Sequence, residues 1–349
     1  MGGDLISVLG WDVGGANVKA AWIALQSGEI LRAKVASRPF EIWRDKERLP
    51  DVLRSVADEV ASEPPSAIAL TMTAELSDVF QTKREGVLFI LDQVQAVHPD
   101  CQAYALSVDG GFVPLAESKE RPLDFAASNW MATAMLVAQR HPDCILVDVG
   151  STTTDIIPII YGSVASQGRN DVERLMCGEL VYTGALRTHL AAIVQAVPVG
   201  GRLCPVSSEY FAISGDVHLI LGNLRPEDYT CPTPDGRPPS VASARQRLAR
   251  LVCADSEMLT SAEIDEMAAF IYQRQIGQIS QALHQVLSRT PGGDLPVVVA
   301  GMGAFLASAA AREAGLETID LAAEWGEGAS AVAPCYAVAL LLAQFLGER

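Results

Sequence analysis

No C-x-x-C pair occurs among the seven cysteines Cys101, Cys144, Cys177, Cys204, Cys231, Cys253 and Cys335. An odd number without close spacing excludes a disulfide framework and reads as reduced, cytosolic thiols. Cys204, His218, Cys231 and Cys253 can be drawn around a zinc ion, but their spacing fits no usual zinc pattern. Positive charge is short as well: 26 Lys and Arg stand against 42 Asp and Glu, a formal net charge of −16. Such a surface repels a phosphodiester backbone, which excludes nucleic acid as a partner. An anionic substrate must then be captured by a local positive field.

An unbroken apolar run of membrane-spanning length is also missing. Residues Ala329 to Leu346 come nearest, but Ser330, Pro334 and Gln344 interrupt them and basic flanks are lacking, so no membrane association is expected. The stretch reads as a buried terminal helix that starts near Ser330 or Ala331, with Pro334 in its first turn. The opening MGGDLISVLG has neither the basic start nor the cleavage site of a signal peptide, and Ile6 stands where myristoylation requires Ser or Thr. His98, His141, His189, His218 and His284 are scattered without a partner motif and read as structural.

What is present is one chemical grammar used twice. GWDVGGANVKAAW (Gly10 to Trp22) and ILVDVGSTTTDIIPI (Ile145 to Ile159) each run from an apolar strand to an Asp at its end. Each then turns on Gly and small hydroxyl or amide residues and resumes as a second apolar strand. Glycine lets backbone approach an anion, and exposed turn amides form an anion nest. Gly14, Gly15, Asn17, Gly150, Ser151, Thr152 and Thr153 are therefore the candidate phosphate ligands, with Thr154 adding a further hydroxyl. Asp12 and Asp148 would repel phosphate directly. They make sense with a Mg²⁺ ion between, held by one or two carboxylates, waters and phosphate oxygens. Lys19, expected near the far end of the second strand, can pair with Asp12 or reach a phosphate.

A length of 349 residues suits two domains. Strands are expected at 5–11, 17–25 and 29–36, then a helix at 46–61, a buried strand at 66–72, a helix at 83–97, a strand at 101–107 and a long helix at 124–140. The second half repeats the three-strand opening at 144–149, 153–161 and 163–166. Residues 198–235 read as irregular insertions. A helix at 260–288 opens on a Thr260/Glu263 capping box and carries Ile264, Met267, Ile271, Ile279, Leu283 and Val286 on one face. PVVVAGMGAFLA, from Pro296, is strand, turn and helix, with Gly301 and Gly303 as a third candidate phosphate or nucleotide contact. The expected domains are 1–141 with 330–349, and 142–329.

TMTAELSDVF, Thr71 to Phe80, leaves the C-terminal end of a buried strand, where ligands bind in open α/β sheets. Glu75 and Asp78 there either face a ligand or cap the next helix. Asn129 is a ligand contact or a satisfied core amide. Arg174, Glu179, Tyr182 and Arg187 form a polar group in a Gly-broken segment, and an Arg there can grip a carboxylate bidentately.

This order of elements resembles the superfamily of acetate and sugar kinases, heat-shock chaperones and actin. The resemblance implies an α/β fold of two ribonuclease H-like domains facing a central phosphate-binding cleft. DVGGANVK and DVGSTTTDI resemble its hydantoinase/oxoprolinase branch. GWDVGGANVKAA, TMTAELSDVF, SVDGGFV, AASNWMATA, DVGSTTTDIIPI and GELVYTGALRT together resemble proteins linked to the tetrahydromethanopterin one-carbon pathway. In that family the implied reaction belongs to methanofuran biosynthesis. An aminomethylfuran methyl diphosphate is joined to the phenol of γ-glutamyltyramine, or a tyrosine analogue, with release of diphosphate. Asp12 and Asp148 would then hold Mg²⁺ on the leaving diphosphate, with Lys19 and the two loops' donors beside it. Asp155, Glu179 and Asp109 are candidates for the base that the phenol needs, and Asp155 equally suits a structural turn carboxylate. Two other functions fit the same loops: an ATP-dependent small-molecule kinase or oxoprolinase-type hydrolase, and a non-enzymatic nucleotide-gated regulator. The sequence leaves the oligomeric state open, a homodimer included.

Overall fold

The computed structural model describes residues 5–291 and 295–348. The first residues of the N-terminal stretch read above for targeting signals, 1–4, lie outside them. In chain order the elements begin with β1 (Leu5–Val13), β2 (Asn17–Gln26), β3 (Glu29–Pro39), α1 (Leu49–Val60), β4 (Ala67–Met72) and α2 (Lys83–Val97). There follow β5 (Gln102–Leu106), β6 (Phe112–Pro114), α3 (Leu115–Ser118), α4 (Asn129–Ala138), β7 (Cys144–Val149), β8 (Thr154–Ile160) and β9 (Ser163–Val164). Next come α5 (Asp171–Cys177), β10 (Leu180–Val181), β11 (Ala196–Val199), β12 (Arg202–Pro205), α6 (Ser214–Ile220), α7 (Val241–Arg250) and α8 (Ser261–Leu287). The chain closes with β13 (Val297–Ala300), α9 (Ala304–Glu313), β14 (Thr318–Asp320), α10 (Leu321–Trp325), α11 (Glu327–Ala331) and α12 (Ala333–Gly347).

These elements divide into two compact units. One comprises Met1–Cys144, Ile159–Arg174 and Leu321–Arg349; the other comprises Ile145–Pro158 and Leu175–Asp320. The first unit's sheet has the order β3-β2-β1-β4-β5-β6, with β1 antiparallel to β2 and parallel to β4. Strand β1 is buried from Ser7 to Val13, as expected of a parallel-sheet strand covered on both faces. One cover is α12. A Cβ on Gly10 would stand 2.3 Å from the Cys335 carbonyl oxygen, so only glycine lets this helix lie flush on the strand. Trp11, Leu53, Ile68, Ile90 and Leu91 build the core on the other side.

The second unit's sheet runs β10-β8-β7-β13-β14. It repeats the first unit's order: a strand pair joined by a tight turn, then a parallel strand beside the first of the pair, then another parallel strand. Its core is formed by Ile145, Val147, Ile156, Ile279, Leu283 and Val299 among others. A separate apolar cluster, including Val197, Val217, Leu248 and Met267, supports the segment from β11 to α7.

Three details depart from the sequence reading. The helix expected at 124–140 starts only at Asn129, because Ala127 adopts a left-handed φ of 49° that breaks the run. Residues 198–235, expected to be irregular, contain the β11–β12 hairpin and α6. The terminal helix starts at Ala333 after the short α11, with Pro334 in its first turn. No helix among the described residues is long and apolar enough to cross a membrane.

Candidate active site

The two Asp-Gly loops have the same construction. In the first, the Gly14 amide donates to the Asn17 carbonyl at 2.9 Å; in the second, the Gly150 amide donates to the Thr153 carbonyl at 2.9 Å. A following segment then ties back each loop's carbonyls. Ile42 and Phe40 amides donate to Gly15 and Ala16 in one, and Ala185 and Leu186 amides donate to Gly150 and Ser151 in the other. With the carbonyls held from behind, the amides of Gly15, Ala16, Ser151 and Thr152 have no hydrogen-bond partner among the described residues. All four residues are half-buried. Two pairs of amides that a protein leaves unsatisfied at a turn are anion sites in waiting. The Ser151 and Thr152 hydroxyls lie 3.4 Å apart beside the second pair.

Asp12 is 3% exposed and stands directly opposite Lys19 across the β1–β2 ladder, with Lys19 Nζ 3.7 Å from its Oδ2. The expectation that Lys19 lies at the far end of β2 is thus corrected. A turn at 14–17 folds the third residue of β2 back beside Asp12. Asp12 lies two residues beyond Gly10, on the face of β1 that α12 covers, and the Cys335 thiol on α12 is pushed up by burial and then by Asp12.

Asp148 occupies the equivalent place on β7, beside Ala300 of β13. Gly301 follows in a left-handed turn of φ 82°, and a Cβ there would lie 2.4 Å from Asp148 Oδ1 and 2.4 Å from the Val149 carbonyl oxygen. Gly303 is equally tight against the Val149 side chain, at 2.4 Å, and its amide donates to the Val149 carbonyl. Both glycines therefore serve to seat β13's turn against the second loop. Asp155 lies in β8 opposite Leu180, half-buried.

Among the described residues no three His, Cys, Asp or Glu side chains gather into a metal cage. Cys204, His218, Cys231 and Cys253 form no such group, and His218 is wholly buried with Nε2 2.9 Å from Gln275 Oε1. Burial holds His218 down at about 4, so its ring is neutral. Single carboxylates flanked by hydroxyls and open amides suit a hard cation that keeps waters and phosphate oxygens as its other ligands, as Mg²⁺ does.

The remaining candidates have different surroundings. Glu75 sits in a 3-10 turn (Ala74–Leu76) just past β4, with its side chain fully buried and neither oxygen hydrogen-bonded among the described residues. It does not cap α2; Thr82 does, accepting from the Glu85 amide. Asp78 stands two residues past that turn and is exposed. Lys83 Nζ lies 3.8 Å from Glu75 and also binds Asp171. Burial outweighs the Lys83 charge and raises Glu75 from 4.5 to about 7. A carboxyl whose folded value is raised favours the fold fully below its ordinary value and loses that contribution as pH climbs through 7. Glu75→Gln is therefore expected to stabilise the protein at pH 8 by roughly 3 kcal/mol, fading toward pH 4. Urea unfolding at the two pH values checks this, and equal midpoints for mutant and wild type at pH 8 would refute it.

Asn129 is the first residue of α4 and accepts from the Trp130 amide. Arg174 is buried with its guanidinium carbon 4.3 Å from the Trp130 ring centre. Asp109 is exposed and paired with Arg169. Glu179 is fully buried in an ion pair with Arg289 at 2.5 Å, which gives it a structural task. Tyr182 is exposed. Arg187 contributes through its backbone, donating to the Ser151 carbonyl at 2.9 Å.

One group went unseen in the sequence. A Cβ on Gly184 would lie 2.5 Å from the Thr152 amide nitrogen. The Gly184 carbonyl accepts from Ser214 Oγ (2.8 Å), Gln275 Nε2 (2.9 Å) and Thr188 Oγ1 (3.2 Å). This buried, fully satisfied network fixes the backing of the second loop. Its trace in the sequence is Gln275, which stands one helical turn from both Ile271 and Ile279 on the apolar stripe of α8.

A family model for hydantoinase/oxoprolinase matches residues 66–345. The chain belongs to the hydantoinase/oxoprolinase family. It is 40% identical, over 98% of its length and 99% of the relative's, to (4-{4-[2-(gamma-L-glutamylamino)ethyl]phenoxymethyl}furan-2-yl)methanamine synthase of Methanocaldococcus jannaschii. A protein of the same name from Methanococcus vannielii is 35% identical over 59% of this chain and 94% of that one. Among solved structures, nucleotide-free acetone carboxylase, an enzyme of ATP-dependent acetone carboxylation, matches with a TM-score of 0.58 at 11% identity, covering 95% of this chain and 70% of that one. That likeness establishes the fold as the actin-like ATPase kind, with two ribonuclease H-like units.

Proposed function

We propose that this family member catalyses ether formation in methanofuran-type cofactor biosynthesis, joining an aminomethylfuran methyl diphosphate to the phenol of γ-glutamyltyramine and releasing diphosphate. The carrying observation is the 40% identity that runs through 98% of this chain and 99% of a relative named for the product of that reaction. The site's chemistry is compatible. A furylmethyl carbon gives up its diphosphate readily once the charge growing on the departing oxygens is met by preorganised donors. The open amides at Gly15, Ala16, Ser151 and Thr152, the Ser151 and Thr152 hydroxyls and Lys19 would meet it. Asp12 and Asp148 would hold Mg²⁺, which supplies Lewis-acid neutralisation of the leaving group when bound. The odd number and wide spacing of the seven cysteines suit a reducing compartment, and we place the reaction in the cytoplasm.

Product analysis with purified protein and Mg²⁺ tests the reading in two arms. One arm supplies the furan diphosphate with γ-glutamyltyramine or its tyrosine analogue; the other supplies ATP with the same phenols. Diphosphate and ether in the first arm alone are expected. ADP in the second arm without ether in the first would move the protein to an ATP-dependent kinase or hydrolase. No turnover in either arm would favour a nucleotide-gated regulator.

A further inference from the structure

We infer that Glu75 is the proton acceptor for the phenol, with Lys83 and Asp171 setting the pH at which it accepts. The inference rests on the ether-forming reading and adds the base that this reading lacks. Two carboxylates that the sequence offered are occupied elsewhere: Asp109 is exposed and paired with Arg169, and Glu179 is fully buried against Arg289. Asp155 lies within the β8 ladder.

Glu75 differs from all of them. It leaves the C-terminal edge of β4, and the ladder brings that edge beside Asp12 and Val13 of β1, through Thr71 and Met72. The Thr73 amide donates to the Val13 carbonyl, and Gly14 approaches the Thr73 hydroxyl. The buried carboxylate is thus two residues from a direct contact with the first loop. Its position is enforced from α2, where a Cβ on Gly86 would lie 2.6 Å from Glu75 Cα. The backbone at Glu75 itself and at Ala127 favours the ionised carboxylate, although neither of its oxygens has a hydrogen-bond partner among the described residues. Ala127 holds the left-handed φ of 49°, a conformation that costs a non-glycine residue energy and that clusters at functional sites. A buried carboxylate with no hydrogen bond is also costly, and a fold that needed only stability would replace it.

The charged groups acting on Glu75 are Lys83, at the first position of α2, and Asp171, at the first position of α5. Lys83 is 30% exposed and Asp171 18%, against none for Glu75. Because Lys83 also serves Asp171, its charge does not neutralise Glu75 in full. The result suits a base for a phenol. An ordinary carboxylate lies about six units below a phenol's ~10; one near 7 halves the gap and remains mostly ionised in mildly alkaline solution. In the step, the phenol proton passes to a Glu75 oxygen as the phenol oxygen bonds the furan's exocyclic carbon. The bond from that carbon to the diphosphate oxygen breaks, and its electron pair leaves with diphosphate. Glu75 then returns the proton to water.

Steady-state ether formation would be measured from pH 5.5 to 9 for wild type, Glu75→Gln, Glu75→Asp, Lys83→Met and Asp171→Asn, with γ-glutamyltyramine and ring-fluorinated analogues of rising acidity. Glu75→Gln is expected to lose about 10²- to 10⁴-fold on the parent phenol, to recover much of it on the most acidic phenol, and to lose the rise in rate near pH 7. Glu75→Asp keeps that rise at a lower rate. Lys83→Met moves it to higher pH and Asp171→Asn to lower pH, since the first removes the cation that favours the carboxylate and the second the anion that opposes it. A Glu75→Gln rate within threefold of wild type would overturn the inference alone. So would a loss equal for every phenol with the pH rise intact, even if the melting temperature fell. A wild type that makes no ether would take the inference down together with the reading beneath it.

Discussion

Asp148→Ala is expected to lower ether formation by about three orders of magnitude, and Gly301→Ala, which removes no ligand, by at least about a hundredfold. For Asp148 the cause is direct: it is the second unit's carboxylate beside the open Ser151 and Thr152 amides, where a Mg²⁺–diphosphate would be held. Asp12→Ala should match it in the first unit. Gly301 is the sharper test because its effect is steric. A methyl group there would stand 2.4 Å from Asp148 Oδ1 and 2.4 Å from a backbone oxygen, in a turn of φ 82°. The carboxylate can move aside but the Val149 carbonyl cannot without distorting β7. The left-handed turn adds roughly 1–2 kcal/mol against any side chain. Calorimetric titration with Mg²⁺ and diphosphate, alongside the rate, separates the outcomes. Gly301→Ala should weaken diphosphate binding while the fold persists. A Gly301→Ala enzyme within tenfold of wild type in both would mean that the orientation of Asp148 is unimportant.

The parts of this site that could be read from sequence are those whose chemistry is local. An Asp at a strand end, a glycine turn and a second strand lie within a dozen residues, and their function follows from backbone geometry that glycine and hydroxyl residues announce. The repeated sheet order was legible for the same reason, since alternation and turn residues mark each strand. What stayed hidden depends on partners remote in sequence. Glu179 looked like a base because Arg289, which neutralises it, lies 110 positions away. Asp109 looked available for want of Arg169. Gly184 lies inside GELVYTGALRT but nothing local marks its task; its role comes from a backbone approach to Thr152 and from three donors on separate segments. The break at Ala127 is a single left-handed residue in a sequence of good helix formers, so local propensity pointed the wrong way. Glu75 was noticed for its place at a strand end, but its lack of hydrogen bonds appears only once α2 packs over it.

The same remote wiring makes the second large effect one of stability. Asp216 and Arg247 are both fully buried, with Asp216 Oδ1 accepting from Arg247 Nη2 at 2.7 Å and Nε at 2.9 Å, and from the Tyr229 hydroxyl at 3.2 Å. Asp216 Oδ2 accepts the Ile213 amide, and Asp235 takes Arg247 Nη1 at 3.0 Å. Asp216→Ala would leave a guanidinium in the core with most of its charge compensation gone, at an expected loss of about 3–5 kcal/mol in urea unfolding. The double variant Asp216→Leu with Arg247→Met removes both charges and should recover most of that loss, because the desolvation of the pair disappears along with its attraction. Failure to recover would mean that the pair matters through the Ile213 and Tyr229 hydrogen bonds and not through charge. The effect extends to the second loop. Asp216 anchors the start of α6, where the Ser214 hydroxyl grips the Gly184 carbonyl and the Gly215 amide donates to Leu186, the residues that brace Ser151 and Thr152. Asp216→Ala should therefore weaken diphosphate binding even at temperatures where the protein remains folded. The double variant, if it restores α6, should restore that binding together with the stability.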